Sequence, residues 1–400
     1  MIYFYRFFYF LLKITLLILK PFLSVKYKIW IKLRAKKIDP LHQFNDVYWF
    51  HAASGEIEYC KSVIRLLKEK KPKAQIVVTY SSPSAEKLFH NVRPYIDQFI
   101  PLCWDQPLPL KNLIDYINPK VLVFSRTDLW PELIIQAKKR KIKIGVISFN
   151  PRHNSLSKFV QKWLLPKFNF ISCVNDDIKH YLDSAFKLDT VTSSGDTRFD
   201  QVFYRLSQEV KLKIQTENKI FVCGSTWPED EDILFKSFPE LLKNNFKIIL
   251  SPHEVQFDNI SRLEKELKNR GFTYQLLSKE YDLLQIILNK DVLIVDNIGY
   301  LADVYRFANL AFVGGAFKHK VHSVMEPLCC GLPVITGPYY KNNPEAVKYY
   351  NQYVFMAMTP EDVVKIARNL QTFSQAQIIN EMHKNKLASK KVLDIILHDI

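Results

Sequence analysis

The chain has 400 residues, a hydrophobic fraction of 48% and a formal net charge of +16. This length exceeds one typical domain and predicts two or three, each with its own core. The excess of 56 Lys and Arg over 40 Asp and Glu indicates an anionic partner, unless it reflects a codon bias towards Lys. No common nucleic-acid-binding signature occurs, so we expect a membrane or a phosphorylated small molecule and no nucleic acid.

The six cysteines show no C-x-x-C spacing, and several lie in apolar runs that are typical of buried strands. This pattern favours reduced, structural cysteines in a cytosolic protein. We predict no metal site.

Residues 1–25 are strongly apolar but carry Arg6, Lys13 and Lys20 at intervals of seven. Seven residues make nearly two helical turns, so the three charges share one stripe. No uncharged run approaches the roughly 20 residues of a spanning helix. We therefore expect a helix in the membrane interface, with its basic stripe in the headgroups; a spanning helix with snorkelling lysines is the alternative. The basic segment 26–37 favours an anionic surface and a cytoplasmic location for the chain that follows.

From residue 47 onward, short apolar runs alternate with helix-length amphipathic stretches. This rhythm predicts βαβ units and parallel, doubly wound sheets. Residues 203–217 lack strand character and are read as a helix end and linker. Strands are predicted at 47–51, 75–80, 120–125, 144–149, 170–174 and 190–194, then at 219–224, 246–251, 272–277, 292–296, 310–315 and 332–337.

The predicted architecture is α/β, with two Rossmann-like doubly wound domains facing a central cleft and an N-terminal membrane-associated helix. Ligands of such domains bind at the carboxyl ends of the strands. The predicted parts are a membrane-interface segment 1–38, an N-terminal domain 39–205, a linker 206–217, a C-terminal domain 218–375 and a C-terminal helix 376–400.

The first candidate site reads HAASGEIEY, from His51 to Tyr59, and follows the first predicted strand. Ser54 and Gly55 supply a tight turn, and Glu56 falls at the start of the next helix. A carboxylate there can cap the helix, where the helix dipole stabilises it. It can also act as a general base for an attacking hydroxyl. Spacing alone leaves both interpretations open.

A second candidate, SRTDLWPEL, also follows a strand. Pro131 suits the first turn of a helix. Arg126 and Asp128 form either a surface ion pair or part of a ligand site.

A third candidate, CGSTWPEDED at 223–232, runs from a strand through a Gly-Ser-Thr turn into an acidic helix start. The N–H groups and hydroxyls of such a turn form either an anion site or a simple helix cap.

The fourth candidate, VGGAFKHKVHSVMEPLCCGLPVITGP at 313–338, is the most specific pattern. It combines a glycine turn, a basic loop, a helix start near Ser323 and the carboxylate of Glu326. These features suit a nucleotide, since the helix end receives phosphate and the carboxylate receives ribose hydroxyls.

At these residues the sequence resembles the Kdo (3-deoxy-D-manno-octulosonic acid) transferases of lipid A assembly. The fourth motif, with DNIGYLADVYRFANLAF before it, is similar to their donor-binding half. HAASGE, TDLWPEL, SGDTRFD, GSTWPEDE and SPHEVQF resemble their other motifs in the same order. The resemblance covers nearly the whole chain and implies the GT-B fold.

The resemblance implies an enzyme of lipopolysaccharide biosynthesis on the cytoplasmic face of the inner membrane. It would transfer Kdo from CMP-Kdo to a lipid A precursor, an anionic glycolipid, with inversion and with neither metal nor cofactor. By motif, Glu56 is the general base, Arg198 replaces a transition-state Lys, and Arg126 occupies a position with a catalytic role. The matching CMP-contacting positions are Pro252, His253, Ile298, Gly299, Tyr300, Ser323, Val324, Met325 and Glu326.

Three motifs depart from the family pattern. The usual S-x-G-E reads S-G-E at 54–56, without the spacer, and H-N-P-L-E reads H-S-V-M-E at 322–326. The usual E-T-E-L-W-P has Arg126 in place of its first acid, with Asp128 two residues later. This charge reversal leaves a different donor or acceptor open.

Two alternatives follow. One is another GT-B enzyme that uses a UDP-sugar, either a transferase or a 2-epimerase, although the apolar N-terminus argues against a soluble epimerase. The other is a degenerate relative that binds anionic lipid without catalysis.

Overall fold

The computed structural model describes residues 1–35, 45–86, 93–151, 154–210, 212–280 and 285–398. The end of the predicted basic segment, at 36–38, lies outside these residues. The chain divides into two compact units. Unit 1 contains Met1–Gln201 and Asn385–Ile400, and unit 2 contains Val202–Lys384.

The sheet of unit 1 has seven parallel strands in the order β3-β2-β1-β4-β5-β6-β7. All six residues of the central strand β1 are buried, because helices cover both faces of the sheet. The strands are β1 Val47–Ala52, β2 Gln75–Tyr80, β3 Gln98–Pro101, β4 Val121–Ser125, β5 Lys143–Phe149, β6 Phe170–Cys173 and β7 Val191–Ser193.

The helices that connect these strands are mostly amphipathic and bury their apolar sides. Among the described residues, opposite faces of the central strands form two apolar cores, and a smaller cluster forms around Tyr9, Ile31 and Trp104. The helices are α1 Ile2–Ile18, α2 Val25–Arg34, α3 Ile57–Lys70, α4 Pro107–Ile117, α5 Pro131–Lys139, α6 Ser155–Leu164, α7 Asp176–Phe186 and α8 Thr197–Ser207.

Unit 2 repeats the architecture with a second seven-stranded parallel sheet, in the order β11-β13-β10-β9-β14-β15-β16, and with a small pair formed by β8 and β12. Its core lies mainly between β9, β10 and β14 and the helix after β9. The strands are β8 Ile214–Gln215, β9 Lys219–Thr226, β10 Phe246–Pro252, β11 Tyr274–Leu276, β12 Ile286–Ile287, β13 Val292–Ile294, β14 Leu310–Val313, β15 Val334–Thr336 and β16 Val354–Met356.

The last helix of the chain belongs to unit 1, where Val392, Leu393 and Ile396 join the core beneath α3. The helices that follow α8 are α9 Pro228–Lys243, α10 Phe257–Asn269, α11 Leu301–Val304, α12 Met325–Cys329, α13 Pro344–Lys348, α14 Pro360–Arg368, α15 Gln375–His383 and α16 Ala388–Leu397.

The predicted α/β class with two parallel sheets is confirmed. Strands β3 and β16 and the β8–β12 pair were not predicted. The predicted linker at 206–217 contains β8, and the division between the units falls within α8. The predicted C-terminal segment 376–400 holds most of α15 as well as α16.

Helix α1 packs on unit 1 through its polar side. Tyr5 Oη donates to Asp105 Oδ2 at 2.6 Å, and the Arg6 guanidinium makes two hydrogen bonds of 2.8 Å to Glu132. Asp105 also accepts the backbone N–H groups of Glu132 and Leu133 at the start of α5. Burial raises the pKa of the Asp105 carboxyl to about 6. Two buried carboxylates, Asp105 in the segment after β3 and Glu132 on α5, therefore hold α1 on unit 1.

The predicted orientation of the basic stripe is wrong for two of its three residues. Arg6 binds Glu132, and Lys13 Nζ donates to Gln106 Oε1 at 2.7 Å, because unit 1 offers acceptors there; only Lys20 stays exposed. Among the described residues, no helix is long and apolar enough to cross a membrane. The apolar side of α1 faces away from the sheet and exposes Tyr3, Phe4, Phe7, Phe8, Phe10, Leu11, Leu12, Ile14, Leu17 and Ile18.

The replacement Arg6→Gln should destabilise unit 1. Glu132 has no exposed side-chain surface, so the loss of its cation leaves a buried charge, at a cost of about 3 kcal/mol. Urea unfolding of the detergent-solubilised protein measures this cost. Lys20→Gln removes an exposed cation just after the same helix and is the control. Equal effects of the two replacements would contradict the role of the Arg6–Glu132 pair.

Candidate active site

Glu56 lies at the carboxyl end of β1, in the turn that opens α3. The backbone N–H groups of Ile57 and Glu58 donate to the carbonyls of Ser54 and Gly55, so the turn runs directly into the helix. Within the described chain, the Glu56 side chain makes no capping hydrogen bond to α3. The geometry therefore does not support the capping interpretation. The half-buried Glu56 carboxylate remains a candidate general base.

A hydrogen bond joins the end of β4 to the turn that carries Glu56. Ser125 Oγ donates to the Glu56 carbonyl at 2.9 Å. The next residue, Arg126, has a φ of 60°, in the left-handed region that side chains with a Cβ rarely adopt. Its guanidinium carbon lies 4.9 Å from the centroid of the Tyr59 ring, on the first turn of α3. Arg126 therefore lies beside the turn that carries Glu56.

The GDTR segment at 195–198 docks on the same turn of α3. Thr197 Oγ1 donates to the Tyr59 carbonyl at 2.6 Å, and Ser62 Oγ donates to the Thr197 carbonyl at 3.0 Å. Arg198 Nη1 then donates to Tyr59 Oη at 3.0 Å. The three predicted catalytic residues, at 56, 126 and 198, are thus grouped around one helical turn.

Asp196 is buried beside the two arginines, and its Oδ1 accepts the backbone N–H of Arg198 at 2.9 Å. Burial raises the pKa of the Asp196 carboxyl, and the charges of Arg198 and Arg126 oppose that rise. The cluster therefore places a buried acid against two cations.

Asp128 pairs with His51 and not with Arg126. His51 is fully buried at the end of β1, with Nε2 at 3.0 Å from Asp128 Oδ2 and Nδ1 at 2.8 Å from Thr79 Oγ1. Burial of Asp128 opposes its ionisation, but hydrogen bonds from His51 and Ser81 outweigh burial and lower the pKa of this carboxyl. The sequence placed both His51 and Asp128 in motifs without predicting their pairing.

In unit 2, three rings stack beyond the ends of β9 and β10. The Trp227 ring lies 4.7 Å from that of His253, which lies 4.4 Å from that of His322. Trp227 Nε1 donates to His322 Nε2 at 3.1 Å, and Lys318 Nζ lies 3.8 Å from the Trp227 ring centroid. Because an indole N–H can only donate, His322 carries its proton on Nδ1.

Asp230 on α9 holds the glycine turn that follows β14. Its carboxylate accepts the backbone N–H groups of Trp227 at 2.9 Å, Gly315 at 2.8 Å and Phe317 at 3.3 Å. A Cβ on Gly314 would lie 2.4 Å from the Ser225 carbonyl oxygen, so this close approach requires glycine. Since α9 uses its own acid at its start, the third motif fits a helix cap better than an anion site.

The predicted CMP-binding residues lie in three turns of unit 2. Pro252 ends β10, and the His253 N–H donates to the Thr226 carbonyl at 2.9 Å. Ser323, just before α12, donates its Oγ hydrogen to the carboxylate of Glu326, which lies within α12. The side chains of Val324 and Met325 are buried, so only their backbone can reach a ligand. Residues 298–300 precede α11, where the side chain of Ile298 is 86% exposed.

Sequence reasoning missed the roles of Trp227 and Asp230, and left His322 within a basic loop. The available signal was the run GSTWPEDE, which places an aromatic and an acid directly after β9. Within the described ranges, no group of three or more His, Cys, Asp and Glu residues could hold a metal ion.

Two parallel sheets with their polar residues at the strand ends define a two-unit α/β protein of the GT-B type. UDP-GlcNAc 2-epimerase from Neisseria meningitidis, solved bound to UDP-GlcNAc, has a TM-score of 0.63 and covers 88% of this chain and 100% of its own. At 16% identity this likeness shows the fold alone.

Sequence comparison defines the family. Residues 28–201 match the 3-deoxy-D-manno-octulosonic-acid transferase (kdotransferase) profile. The 3-deoxy-D-manno-octulosonic acid transferase of Aquifex aeolicus (strain VF5) is 30% identical over 73% of this chain and 76% of its own. That of Chlamydophila psittaci (strain ATCC VR-125 / 6BC) is 29% identical over 75% of this chain and 71% of its own. The chain therefore belongs to the Kdo transferase family of glycosyltransferases.

His322 should remain neutral well below pH 6. Burial, with the nearby His253 and Lys320, lowers the pKa of the His322 imidazole to about 4. Because the unfolded chain has an ordinary histidine pKa of about 6.5, this group makes unit 2 less stable as the pH falls from about 6.5 to about 4. The NMR signal of the imidazole Cε1–H measures the titration.

The His322 signal is assigned by its absence in His322→Gln. It should keep its position from pH 8 to pH 5, while exposed histidines shift. A midpoint near 6.5 for His322 would contradict this prediction.

Proposed function

We propose that this protein transfers Kdo from CMP-Kdo to a hydroxyl of an anionic glycolipid, a lipid A precursor. In this proposal the reaction inverts the anomeric centre, needs no metal or cofactor, and takes place on the cytoplasmic face of the inner membrane. The observation that carries the proposal is the position of Glu56 at a strand end, in the turn that leads to Tyr59, against which two arginines lie, in a chain of the Kdo transferase family.

In unit 1, Glu56 accepts the proton of the acceptor hydroxyl. The hydroxyl oxygen forms a bond to the anomeric carbon of Kdo as the bond from that carbon to the CMP phosphate breaks, and CMP leaves with the electron pair. A single displacement of this kind inverts the configuration. The guanidinium of Arg198, fixed by Tyr59 and the Thr197 segment, can stabilise the negative charge that develops.

In unit 2, the stacked rings of Trp227, His253 and His322 offer a surface for the nucleotide. Lys318, held over the Trp227 ring, supplies a cation for phosphate, and neutral His322 offers its Nδ1–H as a donor. Glu326 at the start of α12 suits the ribose hydroxyls. These contacts support the binding of a phosphorylated nucleoside in unit 2.

The N-terminal helix α1 suits attachment to a membrane surface. Its outward side carries Phe, Tyr, Leu and Ile side chains, while its polar side is occupied by unit 1. Exposed lysines follow in the next segment, at Lys20, Lys26 and Lys32. An apolar side flanked by lysines fits a helix that lies in the interface of an anionic bilayer.

The replacement Glu56→Gln should lower transfer at least about 100-fold, since it removes the general base. CMP binding should be unchanged. Product mass after incubation with CMP-Kdo and a tetra-acylated lipid A precursor measures transfer, and thermal shift with CMP or UDP measures nucleotide choice. Glu58→Gln is the control, because Glu58 lies in the same turn of α3 but pairs with Lys61.

Full turnover in Glu56→Gln would contradict the assignment of Glu56 as the general base. Stabilisation by UDP and not by CMP would instead favour a UDP-sugar enzyme.

The triple replacement of Phe7, Leu11 and Ile18 by Ser should weaken binding to vesicles of phosphatidylethanolamine and phosphatidylglycerol at least about tenfold, since each side chain loses an apolar contact with lipid. Co-sedimentation measures the binding. Replacement of Phe257 and Ile287 by Ser removes exposed apolar groups of unit 2 and is the control. Equal loss in both proteins would argue against attachment through α1.

A further inference from the structure

Two guanidinium groups lie against one aromatic ring in unit 1. The guanidinium carbon of Arg126 is 4.9 Å from the Tyr59 ring centroid, and that of Arg198 is 5.3 Å from it. The face of the aromatic ring stabilises each of the two cations. Both charges also act on the buried Asp196 carboxyl, so this part of unit 1 is rich in positive charge.

Of the two guanidinium groups, that of Arg126 makes fewer polar contacts with the protein. Its side chain makes neither a hydrogen bond nor an ion pair with any residue that the structure describes, although a guanidinium has five N–H donors. Its backbone keeps a left-handed φ of 60°, and its N–H donates to the Ile147 carbonyl at 3.0 Å. Strained backbone of this kind occurs where function fixes the direction of a side chain.

The charges of the cluster leave room for a bound anion during the reaction. Asp196, Asp200 and Glu56 are nearby acids. Asp196 is buried against the Arg198 N–H, and the Asp200 carboxylate accepts the backbone N–H groups of Leu387 and Ser389. Once Glu56 has taken the proton of the acceptor hydroxyl, it is neutral. Asp196 is then the buried carboxylate that faces the two cations, while Asp200 is held by backbone N–H groups.

We propose that Arg126 binds an oxyanion of the acceptor, a phosphate or a sugar-acid carboxylate, next to the hydroxyl that Glu56 deprotonates, while Arg198 keeps its role towards the developing charge. The inference rests on the proposed function. Guanidinium groups match both kinds of oxyanion with paired hydrogen bonds. Ser125 links the Arg126 loop to the Glu56 carbonyl, so the anion belongs to the acceptor that Glu56 contacts. Arg126 is thereby a specificity residue for the acceptor.

The test compares three acceptors with CMP-Kdo as donor: a tetra-acylated bisphosphorylated precursor, its dephosphorylated form, and a dephosphorylated form that already carries one Kdo. Arg126→Gln should raise about tenfold the KM of the acceptor whose anion Arg126 binds, either the bisphosphorylated or the Kdo-bearing one, as expected for a lost charge-assisted hydrogen bond. The KM of the uncharged acceptor and that of CMP-Kdo should stay unchanged. Arg126→Lys should restore part of the loss.

The acceptor that responds identifies the anion, since the first carries only phosphate and the third only carboxylate. Arg140→Gln is the control, because Arg140 pairs with Asp115 away from this cluster. Equal KM changes for all acceptors, or a change in the KM of CMP-Kdo alone, would overturn the inference. So would unchanged kinetics in Arg126→Gln.

Failure of the proposed function has a different signature. Wild-type protein that transfers Kdo to none of the three acceptors would overturn both proposals. If Arg126→Gln does not fold, inorganic phosphate serves as a probe of the wild type. It should inhibit competitively against the anion-bearing acceptor, and competition against CMP-Kdo alone would overturn the inference.

Discussion

A parallel sheet with helices on both faces leaves only its strand ends open to a ligand. That constraint decides where polar chemistry can lie in each unit. All of β1 is buried, and the chain turns at once into the residues around Glu56. In unit 1 the strand ends and the segment after β7 group Glu56, Arg126 and Arg198 around a single helical turn. In unit 2 they group Trp227 and His253. Neither group needs residues from the middle of a strand.

Short hydrogen bonds from buried groups fix these turns. Thr197 joins the segment after β7 to α3 by donating its hydroxyl to the Tyr59 carbonyl, and its backbone N–H donates to the side-chain oxygen Ser148 Oγ at 3.0 Å. In unit 2, Asp230 fixes the glycine turn after β14 by accepting hydrogen bonds from three backbone N–H groups. Such buried polar groups are costly when unpaired, so each one specifies a single loop conformation. These hydrogen bonds therefore hold the loops that carry both groups of residues.

The central strands could be predicted because each is a continuous apolar run. Strands β3 and β16 could not, since they are short and partly exposed. Glu56 was found from its motif. Periodicity placed Arg6 and Lys13 on one stripe, but it could not show which side of α1 faces the protein, because the partner Glu132 lies 126 residues away. The ring stack was missed for the same reason, as Trp227 and His322 are 95 residues apart.

The exchange of an acid for Arg126 changes which groups can move a proton. A guanidinium stays protonated in proteins, so Arg126 cannot act as a base. Asp128 does not replace the missing acid, because it is bound by His51 and Ser81. Asp196 is buried and accepts the Arg198 N–H. Proton transfer at this turn is therefore left to Glu56. Arg126, at the position that carries an acid in the family pattern, can instead bind an anion.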